Sequence, residues 1–329
     1  MSTSVDARQI VRGRSNFPIH EPSAGQPACV RPASHPLTDA AQRMIAQLEA
    51  DASLAEPDRL RDRLEALDRL DAYFPIPLQS AGGAGRFGVE LGRRAKAIRD
   101  RLETVNAALY GGIRREIQCG LRPRELLRCG RSLLGKSNLD LPAGGMGYDH
   151  LDELVSGVLP FEEPVDAHIG RESETMFYQP TPARHVFRLM ELTGLTADDV
   201  LVDIGSGLGH VPLLVSICTG ARSVGVEFEA AYVDCARQCV RSLNLDGVSF
   251  VHEDARVADL STGTVFYLYT PFMGSILSAV LGRLRREASD RRIRICCYGP
   301  CTPVVAEESW LAAMCAPDPG RITVFCSRS

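Results

Sequence analysis

Acidic residues close three successive apolar runs: Asp203 in VLVDI, Glu227 in SVGVE, and Asp254 just beyond VSFVH. Asp203 leads directly into GSGLGH, where Gly205, Gly207 and Gly209 stand two apart. Glycine adopts backbone conformations closed to other residues and lets a main chain come close to a ligand. The turn therefore reads as a cradle, and the acids as acceptors for a ligand's hydrogen-bond donors. A dinucleotide is one candidate ligand, and it calls for G-x-G-x-x-G at a helix N-terminus. Gly205 and Gly207 fit that pattern, but its third place holds His210.

The elements that must carry these residues follow from the hydrophobic pattern. From about residue 180, short β-rich runs alternate with amphipathic segments. The runs are VLVDI, SVGVE, VSFVH, TVFYLY, IRICCY and ITVFC. Such alternation predicts an α/β domain with a doubly wound, mostly parallel sheet and crossover helices. In that architecture ligands bind beyond the carboxyl ends of the strands, where all three acids fall. Upstream the texture is helical. Helices are expected at about 39–48 and 57–72, along Leu91 to Ile117, at about 123–134, and from Tyr148 to Val158. The division expected is a mobile tail over 1–36, a helical region over 37–160 that selects the acceptor or closes the site, and a ligand-binding domain over 161–329.

The spacing G-x-G-x-G after an acid-ended strand resembles the first motif of the class I methyltransferases that use S-adenosylmethionine, a Rossmann-like family. What the resemblance implies extends to the next strands. Asp203 accepts from the methionyl ammonium, Glu227 takes the ribose hydroxyls, and Asp254 with Ala255 reads the adenine edge. Gly205, Gly207 and Gly209 bring the backbone to the cofactor. The resemblance covers about residues 178–299. It departs at the end: the family adds a helix and an antiparallel hairpin after the fifth strand, whereas only ITVFC is evident here, so a trimmed sheet edge is expected.

The acceptor should lie at the end of the fourth strand, in FYLYTPFMG. Thr270-Pro-Phe272 stands where many amino-group methyltransferases place Asn/Asp-Pro-Pro-aromatic, which makes Thr270 a candidate for holding the acceptor. An ordinary strand-to-helix cap explains the same residues. The segment ESETMFYQPTPARHVFRLM, followed by DDVLVDIGSGLGH, looks most like the non-SET lysine methyltransferases. By position it offers Tyr178 and Thr181 as cofactor contacts, or alternatively as a packed ring and a helix cap. In GGMGYDHL, Tyr148 is a candidate catalytic residue on a lid, or part of a linker.

Partners are less legible. Between Arg86 and Lys136 there are 13 basic against 5 acidic residues. A basic face permits nucleic acid, but a solvated face or pairing within the chain is preferred. The acceptor is read as a small molecule or a protein side chain. No apolar run approaches the roughly 20 residues of a membrane span, and the first thirty residues carry no signal-type apolar stretch, so a cytoplasmic location is expected. The 11 cysteines include no Cys-x-x-Cys pair, and no metal site is expected. Two rival functions stand beside methyl transfer: an NAD(P)-dependent oxidoreductase, and a protein that binds S-adenosylmethionine without turnover.

Overall fold

The computed structural model describes residues 36–74, 86–134, 147–161, 178–269 and 272–328. All but the last residue of the expected tail lies outside these ranges. The chain divides into two compact units, Met1–Gly111 and Gly112–Ser329. This division falls ahead of the expected boundary at residue 160.

The first unit contains helices α1 (Pro36–Ala50) and α2 (Leu60–Tyr73) and the greater part of α3 (Arg86–Gln118). Leucines and isoleucines at three- and four-residue steps build one apolar cluster from Met44, Ile45, Leu67, Leu70, Ile98 and Leu102, as amphipathic periodicity requires. Arg63 is fully buried within the unit. Its guanidinium donates to Asn106 Oδ1 at 2.6 Å and to the carbonyls of Leu54, Glu56 and Pro57. Those bonds satisfy a charge that would otherwise be costly to desolvate.

The basic stretch is largely paired. In the first unit Arg93 meets Glu90, Arg94 meets Glu49, Lys96 meets Asp100 and Arg99 meets Asp71. In the second, Arg128 meets Glu125, Arg122 donates to the Thr219 carbonyl, and Arg114 to the carbonyls of Gly157 and Val158.

The second unit is a seven-stranded sheet flanked by helices. Its strands are β1 (Val200–Ile204), β2 (Arg222–Glu227), β3 (Val248–His252), β4 (Val265–Leu268), β5 (Arg294–Cys297), β6 (Leu311–Ala313) and β7 (Thr323–Ser327). Their order is β3-β2-β1-β4-β5-β7-β6. The first five are parallel, while β7 runs antiparallel between β5 and β6. Strand β1 is buried along its whole length, as expected of a parallel strand covered on both faces. Helices α4 (Arg124–Leu134), α5 (His150–Val158), α6 (Ala183–Thr193), α7 (His210–Thr219), α8 (Ala230–Ser242), α9 (Gly274–Asp290) and α10 (Cys301–Ala306) complete the unit.

The expectation of a trimmed edge is corrected. Helix α10 and the β6–β7 hairpin follow the fifth strand, giving the full complement. They escape a sequence reading because β6 is Leu-Ala-Ala, three residues without a β-branched side chain, and because α10 has only six residues. No helix among the described residues is long and apolar enough to cross a membrane.

Candidate functional site

Strand order reverses at β1, between β2 and β4, and a cavity of about 330 Å³ opens beyond the carboxyl ends of these strands. That volume lies within the range of small-molecule sites. Asp203, Gly205, Glu227, Asp254 and Ala255 line it, and so do Tyr178 and Thr181. Thus seven of the residues singled out from the sequence converge on one space.

The turn after β1 is left-handed at all three glycines, with φ of +85° at Gly205, +52° at Gly207 and +86° at Gly209. The amides of Gly205 and Ser206 both donate to the Val226 carbonyl, at 2.8 and 3.1 Å, which ties the turn to β2. Glu227 completes the tie. Its Oε2 accepts from the Gly207 amide at 2.8 Å and its Oε1 from the Glu229 amide at 2.9 Å.

Close approach does occur at this turn, but at two glycines the approaching group is protein. A Cβ at Gly207 would stand 2.1 Å from the Tyr178 ring, and one at Gly209 would stand 2.2 Å from the Phe250 ring. Neither glycine borders the cavity. Gly207 and Gly209 therefore each seat an aromatic ring against the turn. Gly205 keeps its place at the cavity wall.

The carboxylates differ in their surroundings. Asp203 is buried, and both that burial and the nearby Glu227 raise its pKa well above the usual carboxylate range. Burial raises Glu227 as well, opposed by the amides that it accepts from. A buried carboxylate with a second acid beside it invites a cation. Asp254 is the opposite case. Arg256 donates to both of its oxygens, at 2.6 to 3.0 Å, and its own amide adds a 2.7 Å bond. These bonds hold the Asp254 pKa below its ordinary value, so a neutral donor arriving at Asp254 must share it with a guanidinium.

Residues 178–182, just before α6, form the wall facing the turn. The Tyr178 hydroxyl bonds His210 Nδ1 at 3.1 Å and its ring packs on Tyr232. Burial lowers the His210 pKa to about 4, which keeps the imidazole neutral. Thr181 Oγ1 and the buried Tyr267 hydroxyl are 3.0 Å apart. Beneath this wall lies Asp152, whose Oδ1 accepts from the first amide of α6, at Ala183, over 2.7 Å. Its Oδ2 accepts from the Asp149 amide, closing a capping box on α5.

Tyr148 does not line the cavity. Its hydroxyl donates to the Pro180 carbonyl at 2.6 Å, so it braces the wall from behind. Thr270 lies outside the described residues, and so does the glycine-rich start of the expected lid. Sequence reasoning missed Tyr267, Tyr269, Phe228 and Arg256, all of them at the cavity. The tyrosine pair was within reach, because residues two apart in a strand share a face and FYLY places both at one strand end. The Arg256 fork depends on a turn that folds back, and the sequence carries no sign of it.

The last three strands decide the fold, since β7 enters antiparallel between β5 and β6. This is the class I methyltransferase fold. No protein-family model matches the chain. Over 62 residues, 18% of this chain, it is 42% identical to the H3 lysine-79-specific histone-lysine N-methyltransferase of Cryptococcus neoformans var. neoformans serotype D. The chain spans 10% of the length of the curated relatives that it matches. Among solved structures, a Salinibacter ruber RNA methyltransferase bound to S-adenosyl-L-homocysteine is 28% identical, with 45% of this chain and 92% of that one covered and a TM-score of 0.37. A Geobacter metallireducens precorrin-6y C5,15-methyltransferase is 17% identical, with coverages of 47% and 92% and a TM-score of 0.36.

Proposed function

We propose that the chain is an S-adenosylmethionine-dependent methyltransferase whose cofactor lies along the ends of β1, β2 and β3. One observation carries the reading: buried Asp203 and half-buried Glu227 flank a left-handed glycine turn, with Glu227 close enough to raise the Asp203 pKa. The cofactor's ammonium complements this pair, and Asp203 is the residue to hold it. Glu227 offers its carboxylate to the ribose hydroxyls while anchoring the turn. Ala255 and the Asp254–Arg256 pair border the adenine end, with Phe228 exposed at the rim.

S-adenosylmethionine supplies a methyl group already activated by its sulfonium. The chain's own residues position the partners and exclude water, which is where much of the rate of such a displacement arises. Tyr178 and Thr181 close one wall, and Tyr269, Phe272 and Ile276 form the acceptor end. A dinucleotide suits the site less well, because its pyrophosphate would meet two carboxylates beside the turn, one of them, Asp203, buried.

Equilibrium dialysis of the full chain against labelled S-adenosylmethionine, NAD and NADPH tests this assignment. Retention of S-adenosylmethionine alone is the expected result. Retention of a nicotinamide dinucleotide in its place would overturn it, and cofactor binding without turnover on any acceptor would leave a binding protein.

A further inference from the structure

The acceptor end of the cavity differs in kind from the cofactor end. The carboxylates at the cavity, Asp203, Glu227, Glu229, Glu253 and Asp254, all follow or end β1, β2 and β3. Across the reversal point, the described lining residues from β4 onward are Tyr267, Tyr269, Phe272, Ile276 and Pro300. None of these carries a charge at neutral pH. The Tyr267 hydroxyl is engaged with Thr181, and burial pushes the Tyr269 phenol up to about 12.

Tyr269 is backed by two further rings. It stacks on Tyr298 with centroids 4.7 Å apart and planes 28° from parallel. Tyr298 in turn lies on His185 at 4.3 Å. His185 is buried, and that burial lowers its pKa to about 4, so the imidazole is neutral and the column is uncharged. The outcome is a wall of three packed rings, Tyr269, Tyr298 and His185, and close packing resists its displacement.

Resting on the methyltransferase reading, we propose that the acceptor is an uncharged planar ring, aromatic or heteroaromatic, recognised by stacking against Tyr269. Aromatic pairs gain from offset stacking beyond the area that they bury. Among the described residues an alkylammonium acceptor would find ring faces here but no carboxylate, since the described acids stand on the other side of the reversal point.

The test uses indole as the neutral ring and n-butylamine as the amine, each titrated by calorimetry into the full chain saturated with S-adenosylhomocysteine. Indole is expected to bind and n-butylamine to show no heat. Tyr269→Leu should weaken indole ~10-fold, the scale of one aromatic stacking contact, and Tyr269→Phe should restore it. Indole binding unaffected by Tyr269→Leu would overturn the proposal, as would an amine that binds in place of indole. Failure of S-adenosylhomocysteine to bind would instead sink the cofactor assignment. Indole titrated into the unloaded protein would then still decide the ring wall, by the same loss in Tyr269→Leu.

Discussion

Gly207→Ala isolates what the glycine turn does. Two penalties arise at this position. Its φ of +52° is a left-handed conformation that costs an L-residue ~1–2 kcal/mol. The new methyl would also stand 2.1 Å from Tyr178 Cε2 and 2.5 Å from Cδ2, an overpacking worth ~1–3 kcal/mol. Together they amount to ~2–5 kcal/mol, a large part of the ~5–15 kcal/mol that holds a domain folded. The ring can swing away, but it then surrenders the Tyr178–His210 bond and its contact with Tyr232, and one wall of the cavity goes with it. Gly194→Ala is the matched control, with φ of +58° and nothing within 4 Å of the added carbon. It should lose only the backbone portion. Urea unfolding of both variants and of Gly207→Ala/Tyr178→Ala gives the comparison. The double variant should recover ~1–3 kcal/mol through relief of the clash. If Gly207→Ala is no less stable than Gly194→Ala, the ring-seating account is wrong.

Three further outcomes are expected. Asp203 and Glu227 have raised pKa values and a ligand's ammonium favours their charged forms, so binding of S-adenosylhomocysteine should tighten as pH rises and should release protons; calorimetry in buffers of different ionisation heat reads this, and proton uptake would contradict it. Burial raises Asp152 to about 7, so the folded state holds its proton more tightly than the unfolded one and stability falls as pH rises from ~4 to ~7. In Asp152→Asn that slope should be shallower, at the expense of ~1–3 kcal/mol from a mispaired amide; a pH series of unfolding curves checks both effects. Tyr148→Phe removes the bond to the Pro180 carbonyl but no group at the cavity, so turnover should fall by less than ~10-fold, well short of the ~10²–10⁴ that loss of a general acid or base produces.

The strands that build the site were legible because each is an apolar run closed by an acid or a glycine turn, a local signal. Asp203, Glu227 and Asp254 were placed by the same signal. What stayed hidden depends on partners far away in sequence. Glycine's tolerance shows in the sequence, but the group that exploits it does not: at Gly207 and Gly209 it is the Tyr178 and Phe250 rings. Tyr148 looked mobile beside its glycines, yet its hydroxyl finds a carbonyl 32 residues away. Strand β6 is too short and too plain to announce itself, and only its pairing with β7 defines it. The Tyr269–Tyr298–His185 column joins three segments that no periodicity links.

Calorimetric titration of S-adenosylhomocysteine into the full chain, beside Asp203→Ala and Glu227→Ala, bears most directly on the cofactor site. Binding of the intact protein in the micromolar range of ordinary enzyme ligands, weakened ~10-fold or more in each variant as a charge-assisted contact is lost, is the predicted result. Equal affinity in all three proteins, or no binding in any, would contradict it.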